Sequence, residues 1–159
     1  MANVCPPDRE SVMQALFALV QGLPGFTTIE RRMTMPGQGP SSIDPVLQPA
    51  LMMWEQHEHD EHAERGLPVR KWYVWFVIAF VNNDRTLAGA TLLNPLIDQV
   101  RAALAPDDRP SNTLRLKTAD WPNGLVHAAY VEGITLKHTG DTDAQGQGGC
   151  VIPVTLIVP

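Results

Sequence analysis

The sequence predicts an α+β protein, a mostly antiparallel or mixed sheet of about five strands with two helices packed on it, in the order α-β-β-β-α-β-β. Three observations lead there. Two segments, 8–22 and 88–104, repeat apolar side chains at helical spacing. A run from Val69 to Val81 is dense in aromatic and β-branched residues. Clusters of glycine, proline and aspartate punctuate the chain between such segments, with no internal repeat. A length of 159 residues fits one domain, 1–159, with enough core to fold without disulfide or metal staples.

The first helix is announced by Pro6-Pro7-Asp8, with Asp8 placed to cap free amides of the first turn. Val12, Leu16 and Leu19, with Met13, Phe17 and Val20 one residue along, give it a broad apolar face that stops at Gly22 and Pro24. Residues 26–35 read as a strand with Ile29 and Met33 on one face and Glu30 and Arg32 on the other. Pro36 to Pro45 reads as a surface loop. Val46 to Trp54 is a short buried strand, and Val69 to Val81, apolar on both faces, a central one. Between these two, Glu55 to Pro68 is too long for a tight hairpin turn and is expected to project as an arm or loop.

A second helix places Ile97, Val100 and Leu104 toward the core. It either begins at Asn94-Pro95 as cap and first-turn proline, or begins near Ala88 and carries Pro95 inside. Asp107 and Asp108 fall in a proline-flanked loop and read as solvated turn residues. Leu125 to Leu136 and Val151 to Val158 supply the last strands, with Gly133 a candidate bulge and Pro153 marking an edge or a locally unpaired position.

Composition excludes several classes. Twelve basic against seventeen acidic residues give a net charge of -5, which argues against high-affinity binding to phosphate backbones. Cys5 and Cys150 read as two free thiols of a reducing compartment, with a terminal bridge the other pairing. Nothing near Met1 resembles a secretion signal, and the most apolar run, Trp72 to Val81, is shorter than the roughly 20 residues that span a bilayer. A cytoplasmic protein is the expectation.

The residues richest in chemistry are Glu55-Gln56-His57-Glu58-His59-Asp60-Glu61-His62. His57, His59 and His62 among carboxylates are the residue types of a zinc or non-haem metal site, and a metal-dependent enzyme is the alternative that they raise. The zinc-protease spacing fails, since its second histidine would fall at Glu61. A solvated charged arm is the simpler reading. No Gly-x-Ser-x-Gly elbow and no phosphate loop occur. Cys150, a conceivable nucleophile with His127 or His138, sits in a setting that reads as the start of a buried strand. Trp54, Trp72 and Trp75 read as core or interface aromatics because no basic stripe accompanies them. The sequence therefore offers no catalytic residue, cofactor site or metal site.

One pattern runs through the whole chain. It consists of the opening helix from Val12 to Leu19, then Gly22-Leu23-Pro24-Gly25-Phe26 and Arg31-Arg32, Gln48-Pro49-Ala50-Leu51, and Gly66-Leu67-Pro68-Val69-Arg70-Lys71-Trp72. Thr91 to Asp98, Gly124-Leu125-Val126-His127, Val131-Glu132-Gly133 and Val151 to Ile157 complete it. In order and spacing this resembles the tail terminator (tail completion, minor tail) proteins of long-tailed bacteriophages. Pro95 and the histidine-rich arm depart from that pattern. The resemblance implies a structural protein of the virion rather than an enzyme: a ring, usually a hexamer, at the head-proximal end of the tail. Such a ring caps the tail tube, stops its polymerisation and offers a surface for head–tail joining. The implied partners are further copies of the chain, the tail-tube protein and a head-side connector protein. DNA would pass through without specific binding and no membrane would be involved. A head–tail connector or a tail-tube subunit is the nearest alternative. In a ring protein the arm would meet a neighbouring subunit or ring, and Arg31, Arg32, Glu55, His57, Glu58, His59, Asp60, Glu61, His62, Arg70 and Lys71 are the candidate interface residues.

Overall fold

A computed structural model describes residues 7–31, 44–62, 68–143 and 145–159. The fold is α+β, with two helices and a mixed sheet of six strands. Helix α1 spans Arg9–Ala18, and Asp8 caps it by accepting the Ser11 N–H at 2.9 Å. Strand β1 is only Thr28–Glu30, shorter than the 26–35 read from sequence; the outer part of that stretch, including Arg32 and Met33, lies outside the described residues. A 3-10 turn at Pro45–Leu47 precedes strand β2, Ala50–Glu61, and strand β3 is Val69–Val81. Helix α2 runs Gly89–Ala103 with Pro95 inside, so the earlier of the two possible starts is the one adopted. Strands β4 (Ala128–Val131), β5 (Leu136–His138) and β6 (Gln147–Val158) complete the chain.

The sheet order is β1-β2-β3-β6-β4, with β5 also paired to β6. β1 runs parallel to β2, and the other pairs are antiparallel. Both helices pack on one face. Val12, Met13 and Leu16 of α1 and Leu93, Ile97 and Val100 of α2 share a core with Leu51, Met53, Val74, Phe76, Ile78, Ile152, Val154 and Leu156 from the sheet. Leu114, Leu116, Leu125 and Val126 from the long connection after α2 enter the same core.

Sequence expectations are tested at three places here. The segment Glu55 to Glu61 is not a projecting loop but the second half of β2, paired with β3 past a register shift between Glu55 and Glu58. Its charges mask the strand, because alternation of apolar residues stops while the ladder continues. The expected strand from Leu125 to Leu136 is broken: Gly133, at φ +91°, separates β4 from β5 instead of forming a bulge within one strand. Of the two positions expected for Pro153, the locally unpaired one is adopted, since β6 has neighbours on both sides. The Pro153 carbonyl accepts from the Glu132 N–H at 3.1 Å, so the proline's missing N–H faces the same side. There the ladder passes from Val131–Val154 of β4 to Leu136–Val151 of β5 and leaves a gap at residue 153. The proline thus costs no ladder bond.

Asp107, exposed, and Asp108, half-buried, lie in the loop as expected and also act as anchors. Asp107 accepts the backbone N–H groups of Arg115 (2.6 Å) and Lys117 (2.9 Å), one on each side of Leu116. Leu116 has a left-handed φ of +56° and is buried. Two bonds to one carboxylate hold that sparsely populated conformation with the side chain in the core. Asp108 accepts from Lys117 Nζ at 2.7 Å and from the Ser111 hydroxyl, and these bonds lower its pKa to about 2.

Candidate functional site

The charged residues of the sequence pattern gather where β2 and β3 run on together, and the pleat sorts them onto two faces. On the helix side, Glu58 takes two bonds from Arg9 of α1, at 2.7 and 2.8 Å, and the Arg9 guanidinium lies 5.5 Å from the centroid of Trp72. Arg31, following β1, bridges Glu10 of α1 and Glu55 of β2, each at 2.5 Å. Arg70 lies 3.9 Å from Asp60, and Lys71 lies 2.8 Å from Glu61. The carboxylates expected to reach a neighbouring molecule therefore meet cations of their own chain. Each exposed pair is worth little alone, but those of Arg9 and Arg31 together fasten α1 to β2, while those of Arg70 and Lys71 tie β3 to β2.

The electrostatics follow from these contacts. The guanidinium of Arg9 holds the Glu58 carboxyl below the usual carboxylate range. Arg31 does the same for Glu10, and the Lys71 ammonium does so for Glu61. In return, Glu58 raises Arg9, Glu10 raises Arg31 and Glu61 raises Lys71. A carboxyl depressed in the folded chain contributes stability that is complete above its unfolded value, about 4.3 for Glu, and is lost as pH falls through the lower folded value. The β2 segment should accordingly loosen from α1 as pH falls below about 4. Amide exchange at Glu55 to Glu61 should rise there, and Arg9→Gln should show raised exchange already at neutral pH. Unchanged exchange in that variant would contradict the fastening.

Among the described residues neither α-helix lies on the opposite face of the sheet, where Leu47 of the 3-10 turn packs against Ala50, Met52, Val77 and Ala79. Its cross-strand rows run Met52–Val77–Val151–Leu136, then Trp54–Trp75–Pro153, then Tyr73–Thr155–Tyr130. The rings of Trp54 and Trp75 meet edge to face at 5.7 Å, and His57, in the register shift, stacks on Tyr73 at 4.4 Å. Met52 and Val77 are buried, but Trp54 and Tyr130 are each 37% exposed and Leu136 is 61% exposed. Sequence reading missed this surface. β3 is apolar on both faces, so nothing in the sequence said which face the helices would cover.

The three histidines do not converge. His57 stacks on Tyr73, His59 lies opposite Lys71, and His62 follows the end of β2. Among the described residues no group of three or more His, Cys, Asp or Glu side chains is placed to hold one metal ion. Cys150 is buried in β6, and burial pushes its thiol up to about 11, so it is un-ionised at neutral pH. Cys5 lies outside the described residues. No described helix is long and apolar enough to cross a membrane. Compared with known proteins, the chain matches no family model and no curated sequence.

Proposed function

We propose that this chain is a ring-forming tail terminator of a long-tailed bacteriophage, which caps the tail tube, stops its growth and presents a surface for head joining. The observation that carries the reading is the sheet face opposite α1 and α2, where, among the described residues, Trp54, Tyr130 and Leu136 stay exposed beside Trp75 and Pro153. Contiguous exposed aromatics of this kind mark assembly surfaces. The order of motifs from the opening helix to Val151-Ile152-Pro153-Val154 supplies the family. The net charge of -5 suits a passage that lets DNA through without gripping it. The charged half of β2 is fastened to its own α1, so assembly in this reading relies on the aromatic face more than on the charged arm.

The test is assembly. The purified chain is imaged by negative-stain electron microscopy, then added to polymerising tail-tube subunit. Closed rings and tubes arrested at the added ring are expected. Monomers that leave tube growth unchanged, or open stacks of this chain alone, would replace the reading with a connector or tube subunit.

A further inference from the structure

We propose that copies of this chain join head to tail through their sheet edges, β2 of one copy lying along β5 of the next, with Trp54 against Leu136. This deepens the ring reading and rests on it. Backbone supplies the first argument. β1 covers the outer edge of β2 only from Ala50 to Met52, and among the described residues no strand pairs with that edge from Met53 to Glu61. On the far side of the sheet, β5 pairs with β6 along one edge, and no described strand pairs with the other. Unpaired edges are templates for a further strand. These two are unlike and lie on opposite sides of the sheet. Their union is therefore heterologous, the class of contact that closes into rings.

The side chains flanking the two edges match in the same register. Trp54 and Leu136 both lie on the face opposite α1 and α2, as their partners Trp75 and Val151 show, and both are exposed. Beside Leu136, His138, Gly149 and Val151 line a groove of about 330 Å³ that can receive part of an indole ring. β2 runs against β5 in the sheet, so a copy that continues the sheet pairs them antiparallel; Glu55 and Lys137, both on the helix-side face opposite Val74 and Cys150 of their own sheets, then lie diagonally across the Trp54–Leu136 pair, within reach of long side chains. Glu55 is half exposed and gives one oxygen to Arg31. Lys137 has a neutral partner, the Asn94 side-chain oxygen at 3.4 Å. Bringing Trp54 to Leu136 thus also brings a carboxylate to an ammonium, while Arg101, held to Thr135, adds positive charge near β5. A second copy of the chain carries both halves of this match.

The experiment uses the full chain and two variants, Trp54→Arg on the β2 edge and Leu136→Asp on the β5 edge, each checked for folding by circular dichroism. Native mass spectrometry of the wild type should show a closed ring. Each variant alone should run as a monomer, its self-association weakened by roughly tenfold or more, the scale of losing an interface anchor. Mixed, the two variants retain one intact contact between them and should give heterodimers and nothing larger. Rings from either variant, or a mixture that stays monomeric, would overturn the edge pairing. Wild-type rings alongside variant rings would leave the ring reading standing. A wild type that is monomeric at every concentration would remove both. Should Trp54→Arg fail to fold, Trp54→Ala takes its place with the same expected outcomes.

Discussion

Replacing Phe76 by alanine is expected to cost about 3–5 kcal/mol, the range for deleting a fully buried aromatic ring. Phe76 lies in β3 between Met53 of β2 and Ile152 of β6, with no exposed surface, on the face that meets the helices. The loss has two parts. The ring's transfer out of water is forfeited, and a cavity is left that flanking strands held by ladders on both sides cannot close. Urea denaturation should show a lower midpoint with little change in slope. A cost below about 1 kcal/mol would mean that the core collapses around the gap, against the packing described.

The second large effect is expected at Gly89, the first residue of α2. A Cβ there would stand 1.7 Å from the Thr139 carbonyl oxygen and 2.8 Å from its carbon, so backbone must move. The Gly89 N–H donates to the Asp141 carboxylate at 2.7 Å, which ties the start of α2 to the turn before β6. Gly89→Ala should therefore destabilise by about 1–3 kcal/mol or more, as overpacking against a fixed backbone does. Gly22→Ala is the control, because nothing lies within 4 Å of the added methyl. Thermal melting of the two variants should separate them clearly; equal melting temperatures would show that the α2 start is looser than the contact implies.

How much of this was legible in the sequence depended on whether a segment's identity is local. α1 was legible because its cap and its apolar spacing are properties of adjacent residues. β3 was legible because Trp72 to Val81 is an unbroken run dense in aromatic and β-branched residues, which declares a strand outright. The second half of β2 was not, because Glu55 to Glu61 is held extended by its pairing with β3 and by cations on α1 and after β1, none of which the segment itself announces. β5 is three residues long and carries no periodicity to read.

The same holds for the candidate site. Arg31, Glu55, Glu58, Asp60, Glu61, Arg70 and Lys71 were picked out as candidate interface residues, and the structure brings them into ion pairs within the chain. Composition could not say whether their partners belong to the same chain. Arg9 and Glu10, which complete the set, looked like ordinary exposed residues of a first helical turn. The aromatic face was hidden for the complementary reason. Trp54 and Trp75 read equally well as core until the helices are known to lie on the other side.

The placement of β6 between β3 and the β4–β5 pair has a kinetic consequence. Its ladder to β3 joins Arg70 to Val158 and Val81 to Gln147, so the middle of the sheet is made of partners far apart along the chain. The entropy of closing such a loop is spent before the contacts it enables can return it. α1 and the β2–β3 hairpin, by contrast, need only near neighbours. High contact order places such a protein among domains that fold in milliseconds to seconds rather than microseconds. Until β6 docks, the apolar edge of β3 is open to any other strand, and the charges on β2 guard only the opposite side of that hairpin. The rate at which β6 arrives therefore sets how long a newly made chain stays vulnerable to misassociation.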